Sequence, residues 1–244
     1  ISAYSIVTHQ SSNPTKFKPN MTNVKITMQR FQTKLLVTKT SQISNLDSAR
    51  FEREVQATNR VQVFMSRGLE PGDAGLSFDL PNANSDTTEN YSLSDAITDI
   101  GCVVMFTCNH CPYVIGNESR IESIASRARE EGMGFVGINS NDPDNYPTDN
   151  WEHMQKRASS MSYPYLHDST QEVANAWGAE RTPEFYLLDN NGVITYRGRL
   201  DDSPKDPSLS TTSELSDAID ALLADETPDV QRTDSIGCSV KWKV

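Results

Sequence analysis

The chain has 244 residues, 36% hydrophobic and 23% charged, with a formal net charge of −11 at pH 7. That length admits one large or two small domains. No run approaches the ~18 consecutive apolar residues of a membrane-spanning helix, and the first twenty residues, with His9, Lys16 and Lys18, lack the apolar core of a secretory signal, so a soluble, cytoplasmic protein with no membrane partner is expected.

Composition changes near Met65. Residues 1–64 carry nine Lys/Arg against three Asp/Glu, and 26 of the 64 are Ser, Thr, Asn or Gln, whereas all glycines and cysteines come later. So polar a segment has little apolar surface to offset the entropy of ordering. Residues 1–64 are expected to be a poorly ordered basic extension, as a linker, as sequence upstream of a start at Met65 or as an arm for an anionic partner. Residues 65–244 are expected to form the folded domain.

Within that domain the apolar run Cys102–Phe106 suits a buried strand, as does Gly134–Ile138. Between them Ile121, Ile124, Ala125 and Ala128 recur at helical spacing and stop at Gly132. A helix is expected over 149–159 and a strand over 163–166. Ser169-x-x-Glu172 reads as a capping box opening a helix over 171–177, closed by Gly178. Strands over 184–188 and 193–200 flank Asp189-Asn190-Asn191-Gly192, a turn tolerant of positive φ, and so form a hairpin. Thr211-x-x-Glu214 reads as a second capping box, opening a helix whose Leu215, Ala218, Ile219, Leu222 and Leu223 share one face. Alternating strands and helices predict an α/β layered fold with a mixed sheet.

Cys108-Asn109-His110-Cys111 lies between the first buried strand and a helix. A C-x-x-C pair in that position points to redox or metal chemistry. Unpaired N–H groups and the dipole at a helix start favour a thiolate, which is both nucleophile and good leaving group. A second cysteine three residues away can resolve a mixed disulfide. Asn109 is a candidate donor, and a protonated His110 would favour the thiolate. Pro112 favours the first helical turn and disfavours α conformation in the residue before it, which places Cys111 at the N-cap and makes it the candidate nucleophile.

The sequence resembles the thioredoxin-fold superfamily, and within it the redoxin or peroxiredoxin-like branch related to alkyl hydroperoxide reductase and thiol-specific antioxidant. The resemblance runs from about Leu69 to the C-terminus. It rests on Phe106–Tyr113 with its cysteine pair, on Gly137–Asp142, on Arg181-Thr182-Pro183-Glu184-Phe185, on Tyr196–Asp202 and on the closing Ser235–Trp242. It implies a three-layer thioredoxin-like fold, a mixed four- to five-stranded sheet flanked by helices. It also implies a cis-proline at Pro183 beside the cysteines, with the Thr182 backbone pairing an extended substrate segment. By analogy with thioredoxin, Cys108 would attack and Cys111 resolve, the reverse of the reading from Pro112. The peroxiredoxin motif Pro-x-x-x-Thr-x-x-Cys is absent at both cysteines, and only Arg120 or Arg181 offers the accompanying arginine, so peroxidase activity is the weaker expectation.

The expected protein is a thiol-disulfide oxidoreductase cycling Cys108 and Cys111 and needing no bound cofactor. Its expected partners are a disulfide-bearing protein or a small thiol or peroxide, with an external thiol reductant. The alternatives are a thiol-dependent peroxidase and a non-catalytic metal- or protein-binding module. Cys102 reads as core. Cys238 reads equally as an inert thiol or as a third redox cysteine. A zinc site would need Cys108, His110, Cys111 and Cys238, but adjacent His110 and Cys111 reach one ion poorly. The net charge of −17 over 65–244 excludes nucleic acid as a partner of the domain.

Overall fold

The structure, a computed structural model, describes residues 68–84 and 90–244 together with two short strands, β1 (Gln29–Phe31) and β2 (Lys34–Leu36). The chain divides into two units, Ile1–Glu54 and Val55–Val244. In the first, β1 and β2 pair antiparallel. The expected extension 1–64 and its boundary at Met65 otherwise lie outside the described residues.

The second unit is built on a five-stranded sheet. In chain order its strands are β5 (Gly101–Thr107), β6 (Gly134–Asn139), β7 (Tyr165–His167), β9 (Glu184–Asp189) and β10 (Ile194–Gly198), and they lie side by side as β10-β9-β5-β6-β7. β5, β6 and β7 run parallel, whereas β9 is antiparallel to β5 and to β10, which gives the mixed sheet anticipated from the pattern. A small antiparallel pair, β3 (Asp79–Pro81) with β4 (Asn90–Ser92), precedes α1 (Leu93–Ala96). β8 (Arg181–Thr182) and β11 (Cys238–Ser239) form a separate two-stranded ladder, described with the site.

Alternate residues of each central strand face opposite layers, as the two-residue period of a strand requires. On one face Cys102, Val104 and Phe106 of β5 meet Tyr186 and Leu188 of β9 and Trp177 of α5 (Glu172–Trp177). On the other face Val103 and Met105 with Phe185 and Leu187 pack under α3 (Glu118–Glu130), through Ile121, Ala125 and Ala128. Leu215, Ala218 and Ile219 of α6 (Glu214–Leu223) complete this layer. Helices on both faces of one sheet make three layers. Among the described residues no helix is long and apolar enough to cross a membrane.

Local details depart from the sequence reading in three places, all at helix starts. Ser169 does not cap the helix before Trp177. α5 begins after Gln171, which has φ +63°, and the buried Asp168 accepts from Ala174 N–H at 2.9 Å. Nor does Thr211 form a capping box with Glu214. Its backbone N–H and hydroxyl bind Asp202, and Glu214 instead pairs with Arg199. At Ser169 neighbours in the same turn, and at Thr211 the acid Asp202, displace the expected cap. The helix expected over 149–159 is a 3-10 turn, Pro147–Asp149, followed by α4 (Trp151–Ala158).

Candidate functional site: three sulfurs at a strand-to-helix junction

β5 is buried along its whole length, and the chain leaves its end at Thr107 directly into the cysteine pair. The short helix α2 (Pro112–Ile115) then starts with Pro112 in its first turn and Cys111 as the N-cap, in extended conformation (φ −67°, ψ 123°). Proline accounts for both features. It lacks the N–H a first helical turn cannot use, and it drives its predecessor out of the α region. Cys111 carbonyl oxygen accepts from Val114 and Ile115 N–H, while its sulfur turns inward. Cys108 and Cys111 are 1% and 0% exposed, packed with Val114 and flanked by Tyr113 and Cys238.

Opposite them lies the Thr182–Pro183 bond, which is cis, with both residues buried. Cys111 Sγ sits 3.1 Å from Thr182 O, and Cys108 Sγ lies 3.5 Å from Thr182 Oγ1. Pro183 has no N–H to compete for the sulfurs. The loop carrying Thr182 is fixed from behind by Glu184, whose carboxylate accepts Glu180 and Arg181 N–H at 2.8 and 3.1 Å. Glu184 is in turn held by Arg197, at 2.8 Å. Arg197, itself buried, also donates to Leu69 O and Gly178 O. Each donor in this buried ion pair therefore has an acceptor, the condition under which such a pair is tolerated.

The third sulfur arrives from the far end of the chain. β11 pairs antiparallel with β8, setting Cys238 opposite Thr182 and Ser239 opposite Arg181, with Val240 N–H bonding Glu180 O at 3.0 Å. Gly237 makes this approach possible, because a Cβ there would lie 2.2 Å from Thr182 O and 3.1 Å from Pro183 N. The tail is anchored beyond the cysteine: Lys241 N–H donates to Asn141 Oδ1 and Lys241 O accepts from Asp142 N–H and Gln171 Nε2.

The three thiols differ in their protonation. Cys111 is pulled well below the ordinary thiol range, chiefly by the Cys108 S–H donated to its sulfur. Burial opposes this, and the thiol and backbone N–H of Cys238 and the N–H of Val114 assist it. Cys108 is driven up, first by holding its proton toward Cys111, then by burial and by the charge of Asp149. Cys238 is raised to about 11 by burial and by the Cys111 sulfur, with Lys241 and Arg181 opposing. The two sulfurs titrate as a coupled pair, with Cys111 lowered and Cys108 raised. Protonated, Cys111 has Thr182 O as its acceptor; ionised, it is met by the donors of Cys108, Cys238 and Val114. Cys102 lies in the core strand, and burial pushes it to about 12.

The sequence reading grouped Asn109 and His110 with the cysteines. The structure directs both toward Asp149, a fully buried carboxylate that it did not single out. Asp149 accepts Asn109 N–H at 2.6 Å, Asn141 Nδ2 at 2.9 Å and Asn139 Nδ2 at 3.2 Å, and lies 2.6 Å from His110 Nδ1. The Asn109 side chain bonds Thr148 O and the Tyr165 hydroxyl, and the His110 ring stacks on Tyr146. Asp149 carried only a weak signal, a lone acid after Pro147. Asn141 links it to the tail, since it bonds Asp149 through Nδ2 and Lys241 N–H through Oδ1. Of the two arginines considered for a peroxide, Arg120 is paired with Asp201 and Asn117, and Arg181 Nη1 reaches Gly237 O at 3.5 Å. Cys108, His110 and Asp149 offer ligand atoms within 4.8 Å of one another, a different set from the four residues weighed for zinc.

A mixed sheet in this order, flanked by helices on both faces, is the thioredoxin-like fold, with the cysteine pair at the β5–α2 junction and a cis-proline opposite. The chain belongs to the redoxin family, whose profile matches residues 70–218. It is similar to an uncharacterized conserved protein from Geobacillus kaustophilus (39% identity, TM-score 0.67, covering 71% of this chain and 92% of that one). It is also similar to a hypothetical protein from Sinorhizobium meliloti (29% identity, TM-score 0.67, covering 73% and 97%). A putative peroxiredoxin from Mycobacterium tuberculosis is 26% identical over 137 residues, which span 56% of this chain and 82% of that protein.

Proposed function

We propose that the protein is a thiol-disulfide oxidoreductase in which Cys111 is the attacking thiolate and Cys108 the resolving thiol. The observation that carries this is the placement of Cys111 as the N-cap residue ahead of Pro112, its sulfur packed with Cys108 and 3.1 Å from the carbonyl oxygen of the cis Thr182–Pro183 bond. The order is the one Pro112 suggests and the reverse of the thioredoxin analogy. Cys111 attacks a substrate disulfide, expelling one thiolate and forming a mixed disulfide. Cys108 then attacks Cys111 Sγ, closing the intramolecular disulfide and expelling the second thiolate. An external thiol returns the pair to the dithiol in the cytoplasmic setting expected from the sequence. Disulfide-bearing substrates fit this chemistry, as the redoxin membership supports.

The test is a rapid-mixing experiment with 5,5′-dithiobis(2-nitrobenzoate), following the first equivalent of thionitrobenzoate. Cys108→Ser is expected to keep the fast phase and Cys111→Ser to lose it. The opposite pattern restores Cys108 as nucleophile, and a fast phase in neither parent nor variants ends the reading. Hydroperoxide consumption in the same preparation is expected to be slow, because Arg120 is engaged elsewhere and the peroxiredoxin motif is absent.

A further inference from the structure

A nucleophile that is 0% exposed poses a problem of access, and its solution lies in the tail. Resting on the proposed redox role, we infer that Cys238 is a relay thiol, forming an alternative disulfide with Cys111 and carrying reducing equivalents between the buried pair and external thiols. Three features of the geometry support it. β11 lies along β8, so Cys238 faces the residue whose carbonyl contacts Cys111 Sγ at 3.1 Å. The Cys238 side chain is only half-buried and packs on the buried cysteine cluster, so one thiol borders both solvent and the pair. And Gly237, where any side chain would collide with the Thr182 carbonyl, lets the tail lie close against the site.

The arrangement also closes the β8 edge. Hydrogen bonding to that edge is how an extended segment from another protein would add beside the site, and the chain's own tail already occupies it. Small thiols are therefore the external reductant class that fits.

The steps balance as follows. Starting from the Cys108–Cys111 disulfide, the Cys238 thiolate attacks Cys111 Sγ; the Cys111–Cys238 bond forms and Cys108 leaves, taking up a proton. An external thiolate then attacks Cys238 Sγ and expels Cys111, which leaves readily because its thiolate is stabilised. A second external thiolate attacks the outer sulfur of the mixed disulfide, releasing Cys238 and the disulfide of the external thiol. Two electrons have then passed from two thiols to the protein.

The experiment uses the full chain oxidised with one equivalent of diamide, non-reducing peptide mapping and glutathione as the external thiol. In Cys108→Ser a Cys111–Cys238 disulfide is expected to form. In the parent chain under glutathione, trapped glutathione is expected on Cys238. Reduction of the Cys108–Cys111 disulfide by glutathione is expected to slow at least about tenfold in Cys238→Ser and in Cys238→Ala. Glutathione trapped on Cys108 or Cys111 in the parent chain, or parental reduction rates in both Cys238 variants, overturns the relay. Failure of the parent chain to form Cys108–Cys111 at all overturns the proposed function itself, so the two failures are distinguishable.

Discussion

Gly237→Ala tests whether the tail lies against the site as described. The added Cβ would meet Thr182 O at 2.2 Å and Thr182 C at 2.6 Å, both backbone atoms, where an ordinary contact begins at 3.4 Å. The tail and β8 must separate by about 1 Å, enough to take a 2.9 Å N–H···O contact beyond hydrogen-bond range. Losing the two-residue ladder and the neighbouring Val240–Glu180 bond costs roughly 1–3 kcal/mol at ~0.5–1.5 kcal/mol per bond. Reduced freedom of the unfolded chain returns about 0.4–1 kcal/mol of this. A net loss near 1–2 kcal/mol lowers the melting temperature of a domain this size by roughly 2–8 °C. The same separation removes the Cys238 donors from the Cys111 sulfur, so the Cys111 pKa rises. Calorimetry measures the first effect, and thiolate absorbance at 240 nm across pH the second. A variant that melts within 1 °C of the parent and ionises at the same pH refutes the tail contact.

Four other outcomes follow from the same geometry. Thiolate absorbance of the reduced protein is expected to show one ionised thiol persisting well below the ordinary cysteine value of about 8.5, with Cys108→Ala, which removes the principal donor, moving that step upward. Because the folded pKa of Cys111 is depressed, its ionisation stabilises the fold fully above the unfolded value and loses that contribution as pH falls through the folded one. The stability difference between the parent and Cys111→Ser, measured by urea unfolding, should therefore widen from acid toward neutral pH. Asp149→Asn leaves Asn109 N–H, His110 and two amide side chains with one acceptor oxygen instead of two, an expected loss of about 1–3 kcal/mol. It also removes a charge that holds Cys108 up, so the second thiol ionisation is expected at lower pH. Arg197→Met strands Glu184 without its cation and is expected to cost about 3–5 kcal/mol in urea unfolding; a loss under 1 kcal/mol would mean Glu184 is held by other means.

What the sequence made legible was whatever is written in short-range pattern. The apolar runs of β5 and β6, the Ile121–Ala128 periodicity of α3 and the Asp189–Gly192 hairpin turn each announce themselves within ten residues, and each is found in place. The capping boxes failed because the groups they needed are engaged elsewhere: Glu172 N–H meets Thr170 Oγ1, the N–H and hydroxyl of Thr211 bind Asp202, and the Glu214 carboxylate pairs with Arg199. Asp149 was illegible for the same reason in a stronger form. Its donors at Asn109 and His110 come from about forty residues earlier, and an acid after a proline looks like any surface turn until the fold closes around it.

The charge on the site shows how these long-range contacts act together. Position at the helix start favours a thiolate at Cys111, but that alone would leave two adjacent thiols competing for one ionisation. Asp149, placed by the loop after β6, biases the competition by opposing charge at Cys108. The tail biases it further by bringing the Cys238 thiol and N–H to Cys111. Asn141 holds both devices at once, its amide N–H on Asp149 and its amide oxygen on the Lys241 backbone N–H, so the carboxylate whose charge adds to the Cys111 hydrogen bond and burial in raising Cys108 and the strand that delivers Cys238 share a single anchor. An Asn141→Leu variant should therefore weaken both effects together, lowering the Cys108 ionisation and raising that of Cys111 in the same protein. If only one of the two changes, the tail and the carboxylate are separately anchored and the coupling through Asn141 does not exist.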